Sequence, residues 1–332
     1  MVRDYSIFVF SAILKDMKQW QPNRSVSTGA TAYHNAVVHT SWHKNNINGL
    51  RPLIKTKIKR DDVVVDFGAG TGASAIYFLK NIKKNFKLLL VDNSPSWLTK
   101  AYDLLHDDQR VGFFLLEKKD DRFMTLDEVI GKESVDHVVS ANTVHLIPDI
   151  EETCKGIYSA LKDGGTFTFQ SGNIIRDGRE KGILMIDDSV REIHALALNS
   201  IQADSHFKKY TKDLAQRIEE EKKQRSLIFP HPRSLDYYVK CVESAGFKHV
   251  SVSSKRIKVA YKDWLDFLRV RRLQAGILPE IGGRDATVAE EHDRDILITK
   301  ASRMFFKNLR THNRFANTRS FTAEWIYVYA EK

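Results

Sequence analysis

Short apolar runs alternate with amphipathic stretches between about residues 62 and 170. Five runs are typical of buried strands: VVVDF, FKLLLVD, GFFLL, SVDHVVSAN and GTFTFQSG. Three intervening stretches show helical spacing: ASAIYFLKNIKK, SPSWLTKAYDLLHDD and DIEETCKGIYSALKDGG. The second helix is predicted to have Ser94 as its N-cap and Pro95 at its first position, and the third to end at Gly164 and Gly165. This alternation predicts a parallel sheet with helices on both faces, and ligands at the carboxyl ends of its strands.

The remaining chain adds helical segments and two more strands. Residues 178–224 are charged and helically spaced, and SLDYYVKCVESAGFKHVSVSSKRIKV then reads as a helix, a glycine turn and a strand. Another helical segment runs from DWLDFL to about Asn313, and FTAEWIYVYAEK alternates as a final strand should. We therefore predict one α/β core with helical insertions. Its predicted ranges are 50–175, 230–262 and 318–332 for the core, and 1–49, 176–229 and 263–317 for helical lid segments.

Composition limits the class of protein. Of the 332 residues, 42% are hydrophobic and 28% are charged, which is typical of a soluble globular protein. No apolar run reaches the roughly 20 residues of a membrane helix, so no membrane partner is expected. The N-terminal IFVFSAIL is interpreted as a buried helix rather than a signal peptide. Two cysteines exclude a disulfide framework and a zinc cluster, so we expect no metal and a cytoplasmic location.

The net charge of +10 raises the question of a nucleic-acid partner. Lysines and arginines are spread along the chain among acids, as in KIKRDD, RDGREK and RIEEEKKQR. Such mixing is typical of solvated helix faces. A nucleic-acid partner is possible but not favoured.

The loop GAGTGA, between two predicted strands, fits two kinds of cofactor. It matches the dinucleotide pattern G-x-G-x-x-G/A, and Asp92 ends the next strand, where it can accept hydrogen bonds from both ribose hydroxyls. Asp66 argues against NAD, because a carboxylate directly before the loop would face the anionic pyrophosphate. S-adenosylmethionine instead carries an ammonium and a sulfonium, which an acid tolerates. The glycines allow the backbone to approach the cofactor closely.

The order of motifs supports the second cofactor. VVVDFGAGTG resembles motif I of the class I S-adenosylmethionine-dependent methyltransferases, VDNSPSWL their second motif, SVDHVVSANTVHLIPD their fourth-strand motif, and LKDGGTFTF the turn and strand that follow. The resemblance implies a Rossmann-like fold with a seven-stranded, mostly parallel sheet and helical lid insertions. It also implies that S-adenosylmethionine is converted to S-adenosylhomocysteine. The implied cofactor-binding residues are Asp66, Gly68, Ala69, Gly70, Gly72, Asp92, Asn93, Asn142, and Asp120 or Asp121.

The position expected to contact adenine is less defined. The family places an acid after the third strand, and GFFLLEKKDDRF offers Glu117, Asp120 and Asp121. Asp120 and Asp121 are favoured, and the choice between them stays open. A charged loop explains the same residues equally well.

The range of candidate acceptors is limited by motifs of other methyltransferase subclasses that this sequence does not contain. SANTVHL replaces the D/N-P-P-Y motif of amino-methyltransferases of DNA and some proteins, and Cys154 and Cys241 are interpreted as core residues rather than nucleophiles. N-, O- or C-methylation of a small organic molecule remains. SLDYYVKCVESAGFKHVSV and YKDWLDFL resemble the trans-aconitate methyltransferase group.

Several residues are candidates for contact with the acceptor. His145 follows the fourth strand and is the candidate base or positioning group, although packing against the cofactor is an equal alternative. Tyr33 and His34, in the helically spaced AYHNAVVHTSWHKNN, and Trp264 are the other candidates for an acceptor wall. Arg269 or Arg272 is predicted to bind an acceptor carboxylate, with Arg269 preferred.

Two other functions remain open from the sequence. An RNA-modifying methyltransferase would agree with the pI of about 9.4 and would show one continuous basic face. A non-catalytic methyltransferase-like partner subunit would lack an acceptor-sized cavity. The intact glycine loop and Asp92 favour the enzyme.

Overall fold

A seven-stranded sheet forms the centre of the protein. The structure is a computed structural model that describes residues 19–332, so the predicted helix IFVFSAIL lies outside the described residues. The strands are β1 (Val63–Phe67), β2 (Lys87–Asp92), β3 (Val111–Leu115), β4 (Val135–Ala141), β5 (Leu161–Ser171), β6 (Lys248–Ala260) and β7 (Ser320–Glu331). Their order is β6-β7-β5-β4-β1-β2-β3, and β7 runs antiparallel to both of its neighbours. The predicted seven-stranded, mostly parallel sheet is confirmed.

Helices cover both faces of this sheet. Those of the core region are α3 (Ala73–Asn81), α4 (Pro95–Leu105), α5 (Leu126–Ile130), α6 (Ile150–Ala160) and α10 (Leu235–Ser244). Those before it and in the insertions are α1 (Thr28–Val38), α2 (Ser41–Lys55), α7 (Ile186–Ala203), α8 (Leu214–Glu220), α9 (Lys222–Ile228), α11 (Tyr261–Leu268), α12 (Arg271–Ile277) and α13 (Val288–His312). Among the described residues, no helix is both long and apolar enough to cross a membrane.

Two apolar cores lie on opposite faces of the sheet, because side chains alternate along each strand. Val64 belongs to the core that contains residues of α2, α3, α4, α7 and α13, whereas Val63 and Val65 belong to the one that contains residues of α5, α6 and α10. The helical insertions therefore pack on the same face as the helix that follows the glycine loop. This places them over the predicted site.

The structure corrects two predicted helix boundaries. Helix α6 ends at Ala160, so Gly164 and Gly165 lie within β5, in the turn that starts it, rather than at the helix end. The N-terminal AYHNAVVHTSWHKNN forms two helices rather than one. Thr40, with extended backbone, donates its hydroxyl hydrogen to the carbonyl of Val37 and is the N-cap of α2. Local hydrogen bonding by threonine thus ends one helix where side-chain periodicity alone suggests continuity.

Candidate active site

The glycine loop connects β1 to α3 in a conformation that favours glycine. Gly68, Gly70 and Gly72 have φ angles of +72°, +54° and +79°, and glycine adopts these without steric cost. The Gly68 N–H donates to the Val91 carbonyl at 2.8 Å. A Cβ on Gly68 would lie 2.1 Å from the Thr143 Cγ2 atom. The loop is therefore held between β2 and the segment after β4.

Asp92, at the carboxyl end of β2, is tied to that loop. The Gly70 N–H donates to its Oδ2 atom and the Ser94 N–H to its Oδ1 atom, both at 2.8 Å. Burial raises the pKa of this carboxyl, and backbone hydrogen bonds from Ser94, Gly70 and Asn93, together with the charge of Arg272, oppose the rise. A carboxylate has about four lone-pair sites, so these backbone bonds leave at least one of them free. The carboxylate is thereby oriented and can still accept from a ligand hydroxyl.

Asp66 lies on β1, immediately behind the loop, and its side chain is fully buried. The Ser74 hydroxyl donates to its Oδ2 atom at 2.9 Å, and its Oδ1 atom has no hydrogen-bond partner. Burial raises the pKa of this carboxyl to about 7, and the nearby charge of Asp92 adds to the rise. An unpaired buried carboxyl oxygen is costly, so this position favours a ligand that brings a donor or a positive charge.

Further unpaired polar groups share the face of the sheet on which Asp66 lies. Asp66 on β1 pairs with Val139 on β4, which pairs with Thr168 on β5. Gln170 lies two residues further along β5 and therefore on the same face of the sheet. Both amide atoms of Gln170, the Thr168 hydroxyl and both side-chain atoms of Asn46 are buried without partners. Asn46 lies above this row, because its carbonyl accepts from the hydroxyl of Tyr327, which pairs with Gln170. Buried polar groups normally have partners, so ligand atoms or ordered water belong beside this row.

The signal for this polar row was weak in the sequence. Gln170 ends the otherwise apolar strand GTFTFQSG, and Asn46 lies in a helix whose pairing with the sheet no local pattern predicts. A glutamine at a buried strand position is the one local sequence feature that points to this polar row.

The segment after β4 brings Asn142 and His145 to the same edge of the sheet. Asn142 has φ +54°, and its Oδ1 atom accepts from the Trp325 indole N–H at 2.9 Å. His145 Nδ1 lies 2.9 Å from the Ser171 hydroxyl oxygen. Burial, and then the charge of Arg233, lowers the pKa of His145 to about 4. The imidazole is therefore neutral at neutral pH.

Helix α1 covers the glycine loop. His34 Nδ1 lies 3.0 Å from the Thr71 hydroxyl oxygen within the loop, and burial lowers the pKa of His34. The Tyr33 ring lies 4.2 Å from the ring of Trp97, centroid to centroid. Trp97 in turn lies 3.3 Å from where a Cβ on Gly70 would be. Tyr33 and His34 are thus beside the loop, and Trp97, which the sequence did not single out, forms its outer wall.

Trp264 is one ring of an aromatic cluster under the lid helices. It is 1% exposed, stacks on Phe267 at 5.1 Å and meets Trp42 edge-on at 6.0 Å. Phe267 also contacts Tyr33 at 5.9 Å. The cluster connects the lid to the wall of the glycine loop, and contact of Trp264 with an acceptor stays a prediction.

Arg269 does not lie free for an acceptor carboxylate. Its Nε and Nη2 atoms each donate to Asp295 at 2.7 Å, a bidentate pair that occupies this guanidinium. Arg272, the other arginine considered, instead lies over the Trp97 ring, 5.1 Å from its centroid. The expectation for Arg269 is therefore corrected, and Arg272 is the arginine beside the site.

Asp120 and Asp121 lie in a small hairpin that follows β3. Both are exposed at the turn between the two-residue strands Lys118–Lys119 and Arg122–Phe123, and Asp121 pairs with Lys118 at 3.4 Å. KKDDRF therefore forms a small solvent-exposed hairpin. Both side chains are exposed, and contact of either residue with adenine stays a prediction.

Neither cysteine suits nucleophilic catalysis. Cys154 and Cys241 are free, buried members of the apolar core that includes residues of α6 and α10. Burial raises the pKa of both thiols, which suppresses the reactive thiolate. Across residues 19–332, no group of three or more His, Cys, Asp or Glu side chains could hold a metal ion.

Comparison with known families agrees with this geometry. A family model described as a methyltransferase domain matches residues 65–167, the span from β1 to β5. Residues 65–167 therefore form a methyltransferase domain.

One curated relative of this methyltransferase domain is the carboxy-S-adenosyl-L-methionine synthase of Nautilia profundicola. The two chains are 27% identical over 148 residues, which cover 44% of this chain and 59% of the relative. This chain thus spans less than two thirds of the curated relative that it matches.

Solved structures share the fold. Phosphoethanolamine N-methyltransferase 2 of Haemonchus contortus, in complex with S-adenosyl-L-methionine, is 17% identical with a TM-score of 0.51, covering 92% of this chain and 57% of its own. A Galdieria sulphuraria protein proposed to be a sarcosine dimethylglycine methyltransferase is 12% identical with a TM-score of 0.50, covering 92% of this chain and 98% of its own.

The residues of the methyltransferase domain fit S-adenosylmethionine, the cofactor that its sequence motifs imply. The unpaired Oδ1 atom of Asp66 suits an ammonium group, and the oriented carboxylate of Asp92 suits vicinal hydroxyls. A Cβ on Gly68 would clash with Thr143 and one on Gly70 would lie against Trp97, so the loop packs closely against the protein at both glycines. Ala69 and Gly72 belong to the same loop, and Asn93 is exposed directly after Asp92.

The raised pKa of Asp66 predicts a pH-dependent cost to stability. Its usual pKa is 3.8 and its folded value is about 7, so the folded state binds more protons than the unfolded state between these pH values. Stability is therefore lost as pH rises through this range. Asp66→Asn should be more stable than the natural chain by at least about 1 kcal/mol above pH 7, with little difference at pH 4.

Urea unfolding midpoints across this pH range measure that difference. The exposed Asp163 provides the matched control, because Asp163→Asn should show no such pH-dependent gain. A constant difference between Asp66→Asn and the natural chain from pH 4 to pH 8 would contradict the buried, unpaired carboxyl.

Proposed function

We propose that the protein transfers the methyl group of S-adenosylmethionine to a small organic acceptor and releases S-adenosylhomocysteine. The observation that carries this proposal is Asp92, which is oriented by the Gly70 and Ser94 N–H groups at the carboxyl end of β2. In the proposed complex Asp92 accepts from the ribose hydroxyls and Asp66 faces the ammonium. The cofactor, when bound, supplies a methyl group already activated on a sulfonium.

The protein then has to align the acceptor and exclude water. Helix α1 covers the glycine loop through Tyr33 and His34, and the ring of Phe267 on α11 packs against Tyr33. We propose that these lid helices close over the bound cofactor and open for product release. Asn142, fixed by Trp325, lies at the same edge and is proposed to contact the cofactor.

His145 is proposed to position the acceptor. Its pKa of about 4 keeps the ring neutral at neutral pH, so it can accept a hydrogen bond from an acceptor N–H or O–H. General bases work best when their pKa is near the operating pH. A pKa this low therefore favours a role for His145 in positioning the acceptor rather than as a general base.

A labelled-methyl assay tests the reaction class. The full chain is incubated with S-adenosylmethionine labelled on its methyl group, together with either a small-molecule extract or total RNA. We expect label in small molecules and its loss in a His145→Ala variant that still binds S-adenosylhomocysteine. Label found only in RNA would show that the acceptor is RNA rather than a small molecule. Cofactor binding without any methyl transfer would indicate a non-catalytic subunit.

A further inference from the structure

A cavity of about 580 Å³ lies among the lid helices α9, α12 and α13. Four arginines line it: Arg271, Arg272, Arg284 and Arg294. Glu291 is the acid among its lining residues, so the wall carries a net positive charge. Leu227 and Ile228 of α9 add an apolar side. The cavity therefore offers an amphipathic ligand both a charged and an apolar surface.

Two of the four arginines already have partners within the protein. Arg271 forms an ion pair with Glu291 through its Nε atom. Arg294 is buried, and its Nε and Nη2 atoms donate to the carbonyls of Leu278 and Gly283. Neither guanidinium is free to bind a ligand with its full set of donors.

The other two arginines retain free donors. The ion pairs within residues 19–332 include neither Arg272 nor Arg284. Arg284 donates through Nε to the Gln224 side chain, which leaves its terminal nitrogens. Arg272 rests on the Trp97 ring through a cation–π contact. Both guanidinium groups line the same cavity, and an anion bound there would offset their positive charge.

The cavity adjoins the cofactor site through Arg272. Trp97, on which Arg272 lies, is the wall of the glycine loop at Gly70. Arg272 is also close enough to Asp92 to lower the pKa of that carboxyl against the effect of burial. A molecule anchored in the cavity would thus lie beside the proposed cofactor pocket.

We propose that this cavity binds a carboxylate or phosphate group of the methyl acceptor between Arg272 and Arg284, with the acceptor's apolar part against Leu227 and Ile228. Guanidinium groups bind both anions through paired N–H donors. This inference rests on the proposed function, since it defines the acceptor class of the same enzyme. The acceptor is then an anionic organic molecule rather than a neutral or purely cationic one.

Calorimetric titration of the full chain, with and without saturating S-adenosylhomocysteine, tests the cavity with three probes: inorganic phosphate, hexanoate and neutral hexanamide. We expect saturable binding of phosphate or hexanoate, and the tighter of the two identifies the anionic group. Arg284→Gln should weaken that binding at least about tenfold. Arg303→Gln, at an exposed position of α13 outside the residues that line the cavity, is the matched control and should bind like the natural chain.

The outcomes separate this inference from the proposed function. Absence of phosphate and hexanoate binding, hexanamide binding as tight as hexanoate, or equal losses in Arg284→Gln and Arg303→Gln would each overturn the anion site. If S-adenosylhomocysteine binds while the anions do not, only the acceptor inference fails. If S-adenosylhomocysteine does not bind, the cavity's role for an acceptor fails together with the proposed function.

Discussion

Replacing Asp92 by alanine is expected to weaken S-adenosylhomocysteine binding at least about 100-fold, because each charge-assisted hydrogen bond contributes roughly 1.5–3 kcal/mol. The change removes the proposed acceptor of both ribose hydroxyls. It also removes the carboxylate that the Gly70 and Ser94 N–H groups hold. Isothermal titration calorimetry measures the loss directly.

Two further variants assign that loss to the carboxylate. Asp92→Asn keeps an oxygen acceptor and should lose less affinity than Asp92→Ala. Asp163→Ala, at an exposed turn of β5, should bind S-adenosylhomocysteine like the natural chain. Equal affinity of Asp92→Ala and the natural chain would exclude Asp92 from the cofactor site.

Gly68→Ala is expected to lower the free energy of unfolding by about 2–5 kcal/mol and to abolish tight cofactor binding. Alanine is strained at φ +72°, and its Cβ would lie 2.1 Å from Thr143 Cγ2. Thr143 cannot move without losing the hydrogen bond that its hydroxyl donates to the Gly68 carbonyl at 3.0 Å. Urea unfolding, followed by circular dichroism, measures the loss of stability.

Gly164→Ala separates the two causes. Gly164 has the same φ of +72°, but no atom lies within 4 Å of its added Cβ. This variant should therefore cost only the conformational strain, about 1 kcal/mol. Equal destabilisation by the two substitutions would show that contact between the loop and Thr143 does not constrain the glycine loop.

The sheet and the cofactor loop were predictable because their signals are local. VVVDF and KLLLVD are short, mostly apolar runs in which Asp66 is the next-to-last residue of its strand and Asp92 is the last. Parallel strands place these ends at one edge of the sheet. Asp66 and Asp92 therefore come together for reasons that the residues on either side already specify.

Side-chain partners distant in sequence were not predictable. Arg269 binds Asp295 on another helix, and spacing within α11 carries no information about that pair. The hairpin that carries Asp120 and Asp121 was not predicted either, because its formation depends on a few turn residues rather than on periodicity. The contact of Arg272 with Trp97 likewise depends on how the lid lies on the core.

Calorimetric titration of the natural chain with S-adenosylhomocysteine, and separately with NAD, decides which cofactor the glycine loop binds. We expect saturable binding of one S-adenosylhomocysteine and no measurable binding of NAD, since the buried carboxyl of Asp66 stands behind the loop where a pyrophosphate would lie. Binding of NAD without binding of S-adenosylhomocysteine would contradict it.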